Sequence, residues 1–190
     1  MAKDIHYGLF LANYRDAIYP PPRFVVKFAK RYGKAVHECL AREQLAPKLF
    51  ICQRVIGNMI VVVMERAIGQ PLDFMLRFGR LDIDARLIFE CLKGAVSALK
   101  REGLVHGDIR ARNIVVDEYS QGALKIVDFD WATKDGEGFY PDTINMEELS
   151  KQWHRDVGPM KKIKMEHDKY AVFNVLGREY LGITEDPSEH

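Results

Sequence analysis

The sequence predicts an α+β fold: a small antiparallel sheet in the first third and a mainly helical remainder. Three observations carry that reading. Runs rich in β-branched and aromatic residues, Arg23–Ala29, Lys48–Val55 and Met59–Met64, crowd the first third of the chain. A long apolar stripe at helical spacing then passes through Leu87, Ile88, Cys91, Leu92, Ala95, Val96, Ala98 and Leu99. Polar residues at fixed offsets follow it. His106, Asp108 and Asn113 form H-x-D-x-x-x-x-N between two short apolar runs, and Asp128-Phe129 closes another apolar run downstream.

The chain has 190 residues, 47% of them hydrophobic, and a formal net charge of +1. That is enough for one packed domain or two small lobes. The near-balanced charge points away from nucleic acid or an anionic membrane as the main partner. No run approaches the ~18 apolar residues of a membrane span, and the start, Met1-Ala-Lys-Asp-Ile-His6, does not read as a signal peptide. Cys39, Cys52 and Cys91 are odd in number and widely spaced. They read as free thiols of a reducing compartment, cytoplasmic or nuclear.

Taken in order, His6–Tyr14 reads as one strand and Tyr19-Pro-Pro-Pro22 as a stiff connector. The strand Arg23–Ala29 carries Lys27 behind Val25 and Val26. Tyr32–Leu45 is helical by composition and stops before Pro47. Gly57-Asn58 suits a hairpin turn between the next two strands. A short helix, Leu72–Phe78, follows Pro71. The long helix is capped by Asp82 or Asp84 and ends at Gly103. Strands Ile114–Asp117 and Leu124–Val127 flank a turn at Tyr119–Gly122. A short helical piece is expected near Met146–Trp153, and a last helix over Glu166–Leu176. Lys161-Lys-Ile-Lys164 reads as the solvated start of that helix.

A carboxylate that takes a hydroxyl proton, an amide oxygen and a second carboxylate are the parts that metal-assisted phosphoryl transfer needs. In their strand-and-loop setting these residues resemble the catalytic loop and metal-binding segment of the protein-kinase-like superfamily. The likeness is greatest to small fungal kinase-like proteins, with H-G-D as in aminoglycoside phosphotransferase-like and choline kinase-like relatives. It covers Phe24 to about Leu181. It implies a single reduced bilobal domain: an N-lobe at 1–64 with a sheet of five strands or fewer, a hinge at 65–69, a truncated helical C-lobe at 70–184 and a tail at 185–190.

The resemblance also implies roles. Lys27 would hold nucleotide phosphates, paired with a glutamate of the following helix. Glu38 and Glu43 are both candidates, and Glu38 is favoured because the run Tyr32–Glu38 resembles the start of that helix in the fungal proteins. Met64 would be the gatekeeper, with Glu65 and Ala67 offering backbone groups to an adenine edge. Asp108 would be the general base, and Arg110 would stand near the transferred phosphate. Asn113 and Asp128 would hold Mg²⁺. His106 and Asp168 would support the loop, Asp168 by accepting its backbone N–H groups.

Four departures qualify this picture. The glycine-rich phosphate loop is absent, Gly8 being the only glycine before Gly33. Gly107 replaces the Arg of H-R-D, Asp130 replaces the Gly of D-F-G, and there is no Ala-Pro-Glu. The leading functional reading is an ATP- and Mg²⁺-dependent phosphotransferase acting on a hydroxyl acceptor of unknown class. A pseudokinase serving as a nucleotide-binding or scaffold module competes with it, as does a kinase completed by a protein partner.

Overall fold

Alternation along the strands decides which side chains of the first sheet face the cleft. In the computed structural model, which describes residues 9–13, 23–79, 84–117, 119–120, 123–145, 153–177 and 181–184, four strands form this antiparallel sheet. They are β1 (Leu9–Asn13), β2 (Arg23–Ala29), β3 (Leu49–Val55) and β4 (Met59–Glu65), in the order β1-β2-β4-β3. Lys27 lies opposite Leu9 on one side and Val62 on the other. With a side-chain period of two, Val25, Lys27 and Ala29 therefore share a face with Val62 and Met64. Ala29, Val62 and Met64 on that face are buried. The opposite face carries aromatic pairs, Phe10 on Phe28 and Phe24 on Phe50, with centroids 6.3 and 5.2 Å apart. Between β3 and β4 the chain reverses through Gly57 and Asn58, both at positive φ, residue types that tolerate the left-handed region.

Helix α1 (Lys34–Arg42) buries Val36, His37, Cys39 and Leu40. The loop after it is tied to the second half of the molecule. Leu45 accepts the Ile126 N–H at 2.7 Å, and the Gln44 carbonyl accepts Lys125 Nζ at 2.7 Å.

Past β4 the chain runs through 66–69 into β5 (Gln70–Pro71) and α2 (Leu72–Arg77). At Gly69 (φ +119) a Cβ would stand 2.0 Å from the Val116 carbonyl oxygen, so only glycine lets the two backbones approach this closely. Helix α3 (Ala85–Arg101) opens with Asp84 accepting the Arg86 N–H at 2.9 Å and hands over to Gly103 at φ +64. Its apolar stripe is buried through Ile88, Leu92, Ala95, Val96, Ala98 and Leu99. Two small sheets follow. Strand β6 (Leu104–Val105) pairs with β9 (Thr133–Lys134), while β7 (Ile114–Asp117) lies between β5 and β8 (Ala123–Ile126). Helix α4 (Met165–Val172) continues as a π turn, Phe173–Gly177.

These elements match the α+β expectation closely. Among the described residues the first sheet has four strands, and α1 is shorter than the predicted Tyr32–Leu45. The connector Tyr19–Pro22, Asp82 and most of the helical piece near Met146–Trp153 lie outside the described residues. Among the described residues no helix is long and apolar enough to cross a membrane.

Candidate active site

The loop between β6 and β7 is held from below by one carboxylate. Asp168, in the first turn of α4, accepts the N–H of His106 at 2.6 Å and of Gly107 at 2.8 Å. It is 1% exposed, and burial pushes its carboxyl up to about 7 against the pull of those two donors. His106 is fully buried beneath the loop, its Nδ1 accepting the Asp108 N–H at 3.2 Å and its ring 5.0 Å from Phe129. Burial drives the His106 pKa down to about 4, so the ring is neutral at physiological pH. Gly107 takes φ +77, and a Cβ there would meet Ile163 Cγ2 at 2.8 Å. Glycine is therefore required by the loop's own shape, whatever else the H-G-D pattern signifies.

Asp108 is enclosed by donors. Arg110 brings Nε to 2.9 Å from Oδ1, and its terminal nitrogen donates to Oδ2 at 3.0 Å. Asn113 spends both amide hydrogens on the same residue, at 2.9 Å to the Asp108 carbonyl and 2.8 Å to Oδ2. The Asn113 Oδ1 is thereby turned away from Asp108. Burial pushes the Asp108 carboxyl up to about 7, with the Arg110 charge pulling it back. Arg110 also lies over the Trp131 ring at 6.0 Å. The Val127 N–H donates to the Asn113 carbonyl at 2.9 Å, joining this loop to the segment that bears Asp128.

Asp128 itself has φ +68, an uncommon backbone region for a side-chain-bearing residue that aspartate tolerates better than most. The next residue explains how it is held there. Phe129 is fully buried, stacked on His37 at 4.3 Å and flanked by Tyr32 at 5.9 Å. His37 is in turn fixed by the Tyr32 hydroxyl at 2.6 Å and the Pro47 carbonyl at 2.7 Å.

Lys27 reaches across from β2 to this segment. Its Nζ is 2.6 Å from Asp128 Oδ1 and 2.7 Å from Asp130 Oδ1. Burial alone would lower the ammonium pKa, but the two carboxylates outweigh it and hold the value above that of ordinary lysine. The expected glutamate pairing is corrected here. Glu38 meets Lys34 at 3.6 Å on the solvent side of α1, with its side chain 47% exposed, and Glu43 meets Arg101 at 3.2 Å. The reason is helical phase. His37 occupies the inward stripe, and its neighbour Glu38 is rotated ~100° away from it. The sequence marks Asp130 only as a departure from D-F-G; its D-x-D spacing from Asp128 is the signal that could have pointed to its contact with Lys27.

The other predicted positions lie at the end of β4 and in the linker after it. Met64 is buried on the inward face of β4, and Glu65 is exposed at its end with its N–H committed to the Lys48 carbonyl at 2.8 Å. Ala67 lies in the linker that follows. Among the described residues no group of three or more His, Cys, Asp or Glu side chains could hold a metal ion unaided. The donors on offer, an Asn113 oxygen and the Asp128 carboxylate, are hard oxygens. They suit Mg²⁺, which keeps several waters and takes one or two protein ligands alongside substrate phosphates.

No protein-family model matches the chain. Three curated relatives do, each over part of it. A sucrose non-fermenting protein kinase 1 from Fusarium virguliforme is 34% identical over 73 residues, which is 38% of this chain and 10% of that protein. Sperm motility kinase Z from Mus musculus is 39% identical over 72 residues, 37% of this chain and 14% of that one. A CBL-interacting serine/threonine-protein kinase 7 from Arabidopsis thaliana is 40% identical over 72 residues, 37% of this chain and 16% of that one. The match thus spans between a tenth and a sixth of the relatives' lengths. In shape, the chain resembles the Cydia pomonella granulovirus kinase PK-1, with TM-score 0.62 and 19% identity, over 95% of this chain and 69% of that one. The kinase likeness in sequence is local and the likeness in shape extends over nearly the whole chain; the chain has a protein-kinase-like α+β fold.

Proposed function

We propose that the protein is an ATP- and Mg²⁺-dependent phosphotransferase that moves the γ-phosphoryl group to a hydroxyl acceptor. The observation that carries this reading is the state of Asp108: a buried carboxylate, gripped by Asn113 and Arg110, on a loop whose backbone is fixed by Asp168. Such rigidity lets Asp108 orient an acceptor hydroxyl and take its proton as the hydroxyl oxygen bonds to the γ-phosphorus and the bond from that phosphorus to the departing ADP oxygen breaks. Lys27 positions the α- and β-phosphates. Asn113 Oδ1 and Asp128 hold Mg²⁺, which neutralises phosphate charge when bound. Arg110, beside the base, faces the transferred group. Met64 closes the back of the adenine pocket, while the Glu65 carbonyl and the Ala67 backbone meet the adenine edge. The single domain divides accordingly into an N-lobe, a hinge at 65–69 and a C-lobe.

Replacing Asp108 with Asn tests this directly. It removes the proton acceptor but keeps the shape, so nucleotide affinity stays within about threefold while transfer falls at least about a hundredfold. Binding lost together with turnover would instead make Asp108 part of the nucleotide site and overturn its assignment as base. A scaffold reading is favoured by a different observation, the closure of Lys27 onto two carboxylates. Tight nucleotide binding with no transfer to any acceptor or to water supports that alternative.

A further inference from the structure

Helix α1 presents no carboxylate to Lys27, and its inward stripe is occupied by other residues. The inward stripe of α1 passes through His37, stacked on Phe129. One turn earlier on that stripe stands Gly33. Its N–H donates to the Phe129 carbonyl at 2.9 Å, and a Cβ there would lie 2.4 Å from Ala132 Cβ and 2.5 Å from the Ala132 carbonyl oxygen. The helix start is thus packed against the segment following Asp128, with no room for any side chain. Glu38 and Glu43 both point away, paired with Lys34 and Arg101.

A buried ammonium still needs a counter-ion. Lys27, 12% exposed, has two, Asp128 and Asp130, of which Asp130 is the more enclosed at 30% against 40% exposed. The two cannot remain equivalent once the site is filled. On the phosphotransferase reading, on which this inference rests, Asp128 turns its charge to the metal. Asp130 is then the carboxylate left to Lys27.

We infer that Asp130 is the resident counter-ion of Lys27, a positioning residue that holds the ammonium toward the nucleotide phosphates in place of a helix glutamate. An ammonium has three N–H donors, so one bond to Asp130 leaves two for phosphate oxygens. The substitution of the D-F-G glycine by Asp130 and the crowding at Gly33 are then two sides of one rearrangement: the counter-ion has moved from the helix to the metal-binding segment.

Double-mutant cycles test this. Urea unfolding of the nucleotide-free protein is compared for wild type, Lys27→Met, Asp130→Asn and the pair, with Lys27→Gln as a second lysine variant and Glu38→Gln as the competing partner. The Lys27/Asp130 pair is expected to lose less stability than the sum of its singles, while Lys27 and Glu38 add. Additive losses for Lys27 and Asp130 overturn the inference. The affinity for N-methylanthraniloyl-ADP with Mg²⁺ supplies the second readout. Asp130→Asn is expected to weaken it about tenfold, Asp130→Glu to restore most of it, and Asp130→Asn to have no effect when Lys27 is already Met. A tenfold loss that persists in the Lys27→Met background means Asp130 serves the metal instead, and the inference fails. Should wild type bind no nucleotide, the phosphotransferase reading fails, and the unfolding cycle alone decides whether Asp130 holds Lys27.

Discussion

Buried polar side chains define this cleft one residue at a time, and His106 shows how. It lies under the loop, accepting the Asp108 N–H and touching Phe129, with its pKa driven down to about 4 by burial. A histidine whose folded pKa lies below its unfolded value contributes stability that is fully present above about 6.5 and is lost as pH falls toward 4, because the unfolded chain takes up the proton first. The stability gap between wild type and His106→Gln should therefore narrow on going from pH 7 to pH 4, by on the order of 2 kcal/mol. Urea unfolding at the two pH values reads it, and a gap that widens on acidification contradicts the assignment of a neutral, buried ring. Asp108 and Asp168, both raised to about 7, act with the opposite sign. Comparing variant with wild type at each pH separates the histidine from them.

At the scale of elements, the strands and long helices were legible because each satisfies a simple period. Helix α3 has its apolar stripe and an aspartate cap, and β2 has its β-branched run around Lys27. The partner of Lys27 was not legible, since 101 positions separate it from Asp128 and no local pattern spans that distance. Nor did periodicity fix the phase of α1: Val36, Leu40 and Glu43 share one stripe, which leaves either glutamate open. What fixes it is His37, whose two ring nitrogens are satisfied by Tyr32 and Pro47 while its face stacks on Phe129. The H-G-D variant becomes intelligible at this scale too. Gly107→Arg, which would recreate H-R-D, forces a side chain onto φ +77 and against Ile163. It should destabilise the protein by about 2–4 kcal/mol. A stability unchanged in urea unfolding would mean that the loop can adopt another path and that Gly107 is not required by its shape.

For the molecule as a whole, the loop between β6 and β7, the segment bearing Asp128 and strand β2 are brought to one cleft by three independent ties. These are the Asp168 bonds, the Val127-to-Asn113 bond and the Lys27 ion pairs. The loop after α1 fastens the first sheet to β8 through Leu45 and Gln44. Much of this arrangement stood in the sequence as H-x-D-x-x-x-x-N and D-F; what the motif could not convey is that Lys27 closes on two carboxylates where a phosphate is expected to lie. The central claim is that this cleft binds nucleotide through Mg²⁺, and thermal unfolding with and without ATP and MgCl₂, on wild type and Asp128→Ala, tests it most directly. A ligand bound only by the folded state must raise its stability, by about 2.7 kcal/mol at a hundred times its dissociation constant. The account predicts an upward shift of the melting temperature that requires magnesium and disappears in Asp128→Ala. No shift at millimolar nucleotide, or an equal shift in the variant, would contradict it.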